Sequence, residues 1–270
     1  MNMSILSIFY KRDCHIVRLW RTPRLASLII IFLSIPVSVY PFISDNEIAL
    51  FQKELEGRPV GERIAFWAEK FVGTPYDQDP LGEYVSRKVI VADERVDCMY
   101  LIFRSLELSL SGTPSEAILI ALDKRFINKG RIVDGKVVNY ENRFQYGEDM
   151  LDSGKWGKEI TEEIGPLTEI KGLRGRDKVR IISKDTMQVL LNTGVSSLQS
   201  GDMLFFIKSP DKRVADEIVG HMGIVKKEGG ILYLIHASGV KNRGGVVKKV
   251  LLSDFIKSMA FIGIRVSRFD

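Results

Sequence analysis

Five short apolar segments follow Gly201, and turn-forming residues separate each segment from the next. The second and third flank the dipeptide Gly229-Gly230, which is typical of a two-residue β-hairpin loop. In such a hairpin, opposed residues have numbers that sum to 459. The pattern therefore predicts an antiparallel sheet in the second half of the chain. The predicted strands are residues 203–207, 221–226, 231–237, 246–250 and 261–266.

Upstream of these strands, apolar residues recur at helical spacing. Residues 48–71 predict an amphipathic helix interrupted at Gly57-Arg58-Pro59. A second helix is predicted to begin after Asp97, a good N-cap, and to end before Gly112. Helices followed by strands are the order expected of an α+β domain. We therefore predict a single α+β domain over residues 45–270, with an insertion at about 113–200.

The positive charge of the chain is concentrated at its N-terminus. The formal net charge is +5, and residues 1–24 contribute five cations and one anion to it. Residues 25–270 therefore carry only 34 − 33 = +1. Because no basic surface remains in this larger part, we do not predict a nucleic-acid partner.

An uncharged segment at residues 25–44 follows this basic region. Cations followed by an apolar run are typical of a secretory signal peptide or a signal anchor. Pro36 interrupts the run after about a dozen residues, which favours a cleaved signal over a membrane span. The sequence thus predicts a leader at residues 1–44 and export to the periplasm or cell envelope. Contact with the inner membrane is expected only through residues 25–44, if they are retained.

Side chains able to act as a nucleophile, a general base or a soft metal ligand are scarce. Outside the leader the chain has one cysteine, Cys98, and two histidines, His221 and His236. Three such residues cannot supply the four ligands of a structural zinc site, and we predict neither a metal nor a cofactor. Cys98 lies in the first turn of a predicted helix, where the helix dipole and free N–H groups favour a thiolate.

The predicted hairpin places the two histidines on the same face of the sheet. His221 lies opposite Ser238, and His236 takes the diagonal position two residues away, with roughly 7 to 8 Å between Cα atoms. Imidazoles at this spacing are within reach of each other. One cysteine and two neighbouring histidines match the nucleophile, base and orienting group of a covalent hydrolase.

Several segments of the chain together resemble the NlpC-type cell-wall peptidases, a papain-like superfamily. They are Gly73-Thr74-Pro75-Tyr76, Val96-Asp97-Cys98, Ser200-Gly201-Asp202-Met203, Gly220-His221-Met222-Gly223 and Ile235-His236-Ala237-Ser238. Within that superfamily the chain is most similar to the N-acetylmuramoyl-L-alanine amidase-like branch. This closer similarity lies in the middle insertion, at Arg143-Phe144-Gln145-Tyr146 and Asp149.

The resemblance implies a papain-like fold, in which a helix with the nucleophile packs on an antiparallel sheet that carries both histidines. Cys98 would attack the substrate, His221 would act as base and acid, and His236 would orient His221. Tyr76 would lie near the oxyanion. Arg143 and Tyr146 would bind substrate from the insertion.

An exported cysteine hydrolase of this kind implies peptidoglycan or a muropeptide as substrate. Two amide bonds then compete, the γ-D-glutamyl to diamino-acid bond and the bond between muramic acid and L-alanine. We favour the first of these slightly. Two alternatives are kept: a lipid acyltransferase or thioesterase of papain-like fold, and an inactive wall-binding module.

Overall fold

The structure is a computed structural model that describes residues 43–241 and 243–269. The predicted leader at residues 1–44 lies, apart from its last two residues, outside the described residues. Within the described range, none of the helices combines the length and the apolar character needed to cross a membrane.

Five helices come first in the described part of the chain, and strands with further helices between them follow. The helices are α1 (Asp45–Glu54), α2 (Val60–Lys70), α3 (Glu83–Ser86), α4 (Cys98–Leu110), α5 (Pro114–Lys124), α6 (Gly147–Asp152), α7 (Thr161–Ile164), α8 (Lys184–Asn192) and α9 (Leu252–Ser258). The strands are β1 (Ile132–Val133), β2 (Lys136–Val137), β3 (Lys158–Glu159), β4 (Thr168–Lys171), β5 (Lys178–Ser183), β6 (Met203–Ile207), β7 (Val219–Glu228), β8 (Ile231–Val240), β9 (Gly244–Leu251) and β10 (Gly263–Arg268). Single 3₁₀ turns lie at Tyr140–Asn142 and Pro210–Lys212.

An antiparallel sheet forms the centre of the molecule. Its strand order is β4-β5-β10-β6-β7-β8-β9, and β3 pairs with β10 outside this path. The five strands predicted after Gly201 are confirmed as β6 to β10. The strands β4 and β5 come from the middle of the chain and extend the sheet beyond β10. The prediction of a mixed α+β fold with an antiparallel sheet is thus confirmed.

The hairpin between β7 and β8 has the predicted register. Glu228 pairs with Ile231 and Ile224 pairs with Ile235, so the numbers of each pair sum to 459. Gly229 and Gly230 form the loop with φ angles of 54° and 86°. Both angles are in the left-handed region, which glycine adopts without steric strain and which a tight hairpin turn of this type requires.

Each face of the sheet is covered by helices. One face packs against α2 and α4 in a core that includes Trp67, Phe103 and Phe205. The other face packs against α8 and α9, where Phe206 and Ile256 are buried together. All five residues of β6 are buried, as expected of a central strand with both faces covered.

The helices predicted at residues 48–71 and after Asp97 are confirmed, and the structure has several others that we did not predict, of which α9 bears on the site. The predicted interruption separates α1 from α2, and Asp97 caps α4 by accepting a hydrogen bond from the Tyr100 N–H at 2.8 Å. Helix α9 has Leu252 and Ile256 buried on one side. Short helices of this length are held by packing, and this one brings Phe255 onto the sheet.

Two buried ion pairs hold the middle of α4 in place. Glu107 of α4 is fully buried and binds Arg125 through two hydrogen bonds of 2.6 and 2.7 Å. Arg104, one turn before Glu107, binds Asp93 at 2.9 Å. Such two-pronged pairs hold a helix in one orientation, and that orientation sets the direction of its N-terminus.

Candidate active site

Cys98 is the first residue of α4, and its side chain is half-buried. Asp97 satisfies the N–H of Tyr100, whereas the N–H of Cys98 belongs to the free donors of the first helical turn. The backbone N–H of Met222, the residue that follows His221, also acts on the thiol and favours its charged form. The start of α4 therefore meets β7 at Met222. In the part of the chain that the structure describes, the Cys98 thiol has no hydrogen bond to either imidazole, and His221 is hydrogen-bonded to His236.

The electrostatic surroundings keep the thiol of Cys98 protonated. Burial is the main cause that raises its pKa to about 12, and the Asp97 carboxylate adds to this. The Met222 N–H, Lys241 and the N–H of Cys98 itself oppose the shift. The effect of the helix start, which favours a thiolate, is thus present but is exceeded by burial.

The two histidines come together as the hairpin predicts. Nε2 of His221 lies 2.9 Å from Nδ1 of His236, and the ring planes are 87° apart with centroids at 5.0 Å. Both imidazoles therefore project from the same face of the sheet, and it is the face that packs against α9, because Phe255 of α9 contacts both rings. Cys98 and α4 pack against the opposite face. If His221 donates its Nε2 proton to His236, the other nitrogen of the His221 ring, Nδ1, has no proton and can accept one.

Three phenylalanines enclose His221. Phe206 and Phe261 stack on the imidazole with centroids at 5.8 and 6.1 Å, and Phe255 lies at 6.1 Å from it. Phe255 also contacts His236 edge to face at 4.8 Å. We call Phe206, Phe255 and Phe261 the aromatic clamp.

Both imidazoles are neutral over the physiological range. Burial lowers the pKa of His221 to about 3, with a smaller effect of His236. Burial also lowers the pKa of His236 to about 4, and Lys248, its partner across β8 and β9, acts in the same direction. The site at rest therefore holds a neutral thiol and two neutral imidazoles.

Tyr76 is buried beside the nucleophile. Its backbone N–H donates to the carbonyl of Gly245 at 2.8 Å, which joins the residue to the start of β9. Its ring lies directly on Gly239, where a Cβ atom would overlap it. Burial raises the pKa of Tyr76, and the electrostatic effects of Cys98, in its thiolate form, and of Asp97 add to the shift. The phenol thus remains a hydrogen-bond donor close to Cys98.

Lys241 joins the loops around the nucleophile. Its Nζ donates to the carbonyls of Asp77 and Asp79 at 3.0 and 2.5 Å, and it lies 3.3 Å from Oδ2 of Asp97. The same atom lies 5.5 Å from the ring centroid of Tyr76. A single cation therefore contacts both the cap of α4 and the segment that carries Tyr76.

The two insertion residues predicted to bind substrate have contacts within the insertion. Nη1 of Arg143 donates to the carbonyl of Tyr140 at 3.1 Å. The guanidinium of Arg174 lies 3.7 Å from the centroid of the Tyr146 ring. Substrate binding by Arg143 and Tyr146 stays a prediction.

The aromatic clamp and Lys241 were not predicted from the sequence. A signal for α9 was present, because Leu252, Phe255, Ile256 and Met259 recur at helical spacing. No local pattern indicates Lys241, since its partners are more than a hundred residues away along the chain. Among the described residues, no cluster of three or more His, Cys, Asp or Glu side chains is arranged to hold a metal ion.

Comparison with known proteins finds similarity at the level of the fold. No protein-family model matches the sequence, and no curated protein matches it. A solved N-acetylmuramoyl-L-alanine amidase from Bacteroides uniformis superimposes with a TM-score of 0.60 at 21% identity, over 78% of this chain and 99% of the amidase. A protein from Legionella pneumophila gives a TM-score of 0.63 at 17% identity, over 82% and 93% of the two chains. This chain therefore has an amidase-like α+β fold.

Proposed function

We propose that this protein is an exported, papain-like cysteine hydrolase that cleaves an amide bond in the peptide stems of peptidoglycan. The observation that supports the proposal is the 2.9 Å contact between His221 and His236 on a strand whose next residue, Met222, acts through its N–H on the thiol of Cys98 at the start of α4. This arrangement supplies a nucleophile, a base and an orienting group from the three scarce residues of the chain.

The role of each nitrogen follows from the tautomer that we assign to the two imidazoles in contact. With His221 donating its Nε2 proton to Nδ1 of His236, Nδ1 of His221 is the basic atom that accepts the thiol proton. Because burial favours the neutral forms of Cys98 and His221, proton transfer accompanies the attack on the carbonyl. His236 is the positioning residue that fixes this tautomer.

The chemical steps then follow the acyl-enzyme scheme. The Cys98 sulfur forms a bond to the amide carbon, and the N–H of Cys98 and the Tyr76 hydroxyl donate to the oxyanion. His221 returns the proton to the leaving nitrogen as the C–N bond breaks, which leaves a thioester on Cys98. Water, deprotonated by His221, attacks this thioester and releases the carboxylic acid together with the free thiol.

Two amide bonds are candidates for this chemistry. The similarity of the fold to an N-acetylmuramoyl-L-alanine amidase supports the bond between muramic acid and L-alanine. The resemblance of the Cys and His segments to NlpC-type peptidases supports the γ-D-glutamyl to diamino-acid bond. We place the muramoyl bond first, because the fold similarity covers nearly the whole length of the amidase. Both bonds lie outside the cytoplasmic membrane, in agreement with the export predicted from residues 1–44.

Muropeptide digestion tests the proposal. The purified protein is incubated with muropeptides and the products are identified by mass spectrometry, with Cys98→Ala as the matched control. Release of the intact stem peptide identifies the muramoyl bond, whereas a sugar that retains L-alanyl-D-glutamate identifies the peptide bond. Products that also form with Cys98→Ala, or no products at all, would contradict the proposal.

A further inference from the structure

Several arginines of this chain bind a carboxylate through the same edge of the guanidinium. The Nε and Nη2 atoms lie side by side and match the two oxygens of a carboxylate. The pairs that use this edge are Arg125 with Glu107, Arg265 with Glu159 and Arg268 with Asp202, at distances between 2.6 and 2.8 Å. The edge formed by Nε and Nη2 is thus the usual carboxylate site in this protein.

Arg213 presents the same edge without a carboxylate. Its Nε and Nη2 are both buried and have no hydrogen-bond partner among residues 43–241 and 243–269. Only Nη1 has a contact, to the carbonyl of Gly172 at 3.4 Å. Buried donors without acceptors destabilise a fold, and each such group calls for an explanation, for example an acceptor supplied by a bound molecule.

The two carboxylates that interact electrostatically with Arg213 are bound to other groups. Glu148 and Glu217 both act on its guanidinium at a distance. Glu148 accepts the backbone N–H groups of Ile218 and Val219 at 3.0 and 3.1 Å. Glu217 binds the Lys208 ammonium instead. Neither carboxylate therefore occupies the Nε and Nη2 edge of Arg213.

This arginine lies at the border of the candidate active site. The hydrogen bonds of Glu148 fix α6 to the start of β7, and His221 follows Val219 by two residues, about 7 Å along an extended strand. Gly147 packs against the side chain of Met222, because a Cβ added there would lie 3.2 Å from the Met222 sulfur. The Met222 backbone in turn acts on the thiol of Cys98.

A second cation lies beside the same helix. The guanidinium of Arg174 stacks on Tyr146 at 3.7 Å, and its Nε is 3.9 Å from Glu148. Stacking on an aromatic ring holds the planar group in place. Arg213 and Arg174 thus both surround the N-terminal turn of α6, on the side of the sheet against which Cys98 packs.

We propose that Arg213, supported by the Arg174 and Tyr146 pair, binds a carboxylate of the peptide substrate through its Nε and Nη2 atoms. The inference rests on the proposed function and deepens it, because it identifies the substrate as an anionic stem peptide. A carboxylate bound here would lie on the side of α6 that contacts Met222, whose N–H acts on the Cys98 thiol. The Arg213 side chain, whose Nε and Nη2 atoms are buried, would turn outward to meet it. Binding at Arg213 would then position the amide bond for attack.

Calorimetric binding to the Cys98→Ala protein tests this inference without catalysis. The probes are an N-acetylmuramoyl tripeptide with its carboxylates free and the same compound with every carboxyl group amidated. We expect the acid to bind at least tenfold more tightly than the amide, and Arg213→Met to remove most of this preference. Arg213→Lys, which keeps the charge but has no two-pronged edge, should retain a small part of it and replaces the methionine variant if that variant does not fold. Arg180→Met, an exposed arginine of the same region, is the matched control and should change neither affinity.

The outcomes separate this inference from the proposed function. Equal binding of the acid and the amide, binding of neither, or an undiminished preference in both Arg213 variants would overturn the inference. Hydrolysis of muropeptides without any carboxylate preference would leave the proposed function in place and reject the subsite. A carboxylate preference in a protein that hydrolyses no muropeptide would support the subsite and reject the hydrolase.

Discussion

The ring of Phe261 lies parallel to the imidazole of His221, with 8° between the planes and 6.1 Å between the centroids. Phe255 covers His221 and His236 from α9 and completes an apolar wall around both rings. Removal of water from an imidazole disfavours its charged form. The aromatic clamp therefore explains why the pKa values of both histidines are low, and it has consequences that solution experiments can measure.

Truncation of Phe255 should raise the pKa of both imidazoles. In Phe255→Ala water reaches the two rings, so the pKa values of His221 and His236 should move from about 3 and 4 toward the ordinary value near 6.5. NMR titration of the imidazole protons between pH 3 and 8 measures the shift, with signals assigned from His221→Gln. Phe66→Ala, which opens a ring cluster on α2, is the control. Unchanged or lower values in Phe255→Ala would contradict this explanation.

The same low pKa values predict acid sensitivity of the fold. Because the folded pKa of each imidazole lies below the unfolded value of 6.5, the unfolded chain binds protons that the folded chain does not accept. The resulting stability is fully present above pH 6.5, declines below it, and is lost once the pH falls through about 4 for His236 and about 3 for His221. The free energy of unfolding should fall by up to about 1.4 kcal/mol per pH unit for each imidazole in this window.

Urea unfolding at pH 7, 6 and 5 measures this dependence. The double variant His221→Gln/His236→Gln removes both titrating groups and should show a flatter profile between pH 6.5 and 5. Carboxylates remain mostly ionised in that range, so they contribute little to the difference between the two proteins. An equal slope in the double variant would show that other groups cause the acid sensitivity.

Local sequence patterns were sufficient to predict the backbone elements that carry the candidate site. The register of the histidine hairpin follows from Gly229-Gly230, because a two-residue turn of this kind fixes which residues are opposed. The start of α4 follows from Asp97, whose side chain caps the helix through contacts within three residues. Both features depend on residues that are close together in the sequence.

The surroundings of the site depend on contacts between distant parts of the chain. Lys241 reaches Asp77 and Asp97, and these pairs are separated by 164 and 144 residues. The balance between the helix start, which favours a thiolate, and burial, which disfavours it, is likewise set by packing. Periodicity and turn rules describe neighbours in sequence, so neither the partners of Lys241 nor the degree of burial of Cys98 follows from them.

Lys241 should control the reactivity of the nucleophile. Its cation lowers the pKa of Cys98 and interacts with the Asp97 carboxylate, which raises that pKa. In Lys241→Met the thiolate loses this support, and alkylation of Cys98 by iodoacetamide at pH 8 should slow by about threefold to tenfold, as a pKa increase of about half to one unit would give. The rates are measured in a Cys14→Ser background. Lys257→Met, an exposed lysine of α9, is the control, and a rate in Lys241→Met equal to that of the control would contradict the role of Lys241.

Substitutions at Tyr76 and Gly239 distinguish the role of the Tyr76 hydroxyl from the role of its ring. Tyr76→Phe keeps the ring on Gly239 and removes only the hydroxyl, so the thermal midpoint should change little while the hydrolysis rate falls by about a hundredfold if the hydroxyl stabilises the oxyanion. Gly239→Ala introduces a methyl group where the ring lies, so it should displace Tyr76 and lower stability by about 1 to 3 kcal/mol together with the rate. The matched control is Gly112→Ala, where the added Cβ meets only the Glu116 side chain at 3.5 Å. Full activity of Tyr76→Phe combined with inactivity of Gly239→Ala would show that the ring shapes the site and that the hydroxyl has no part in the reaction.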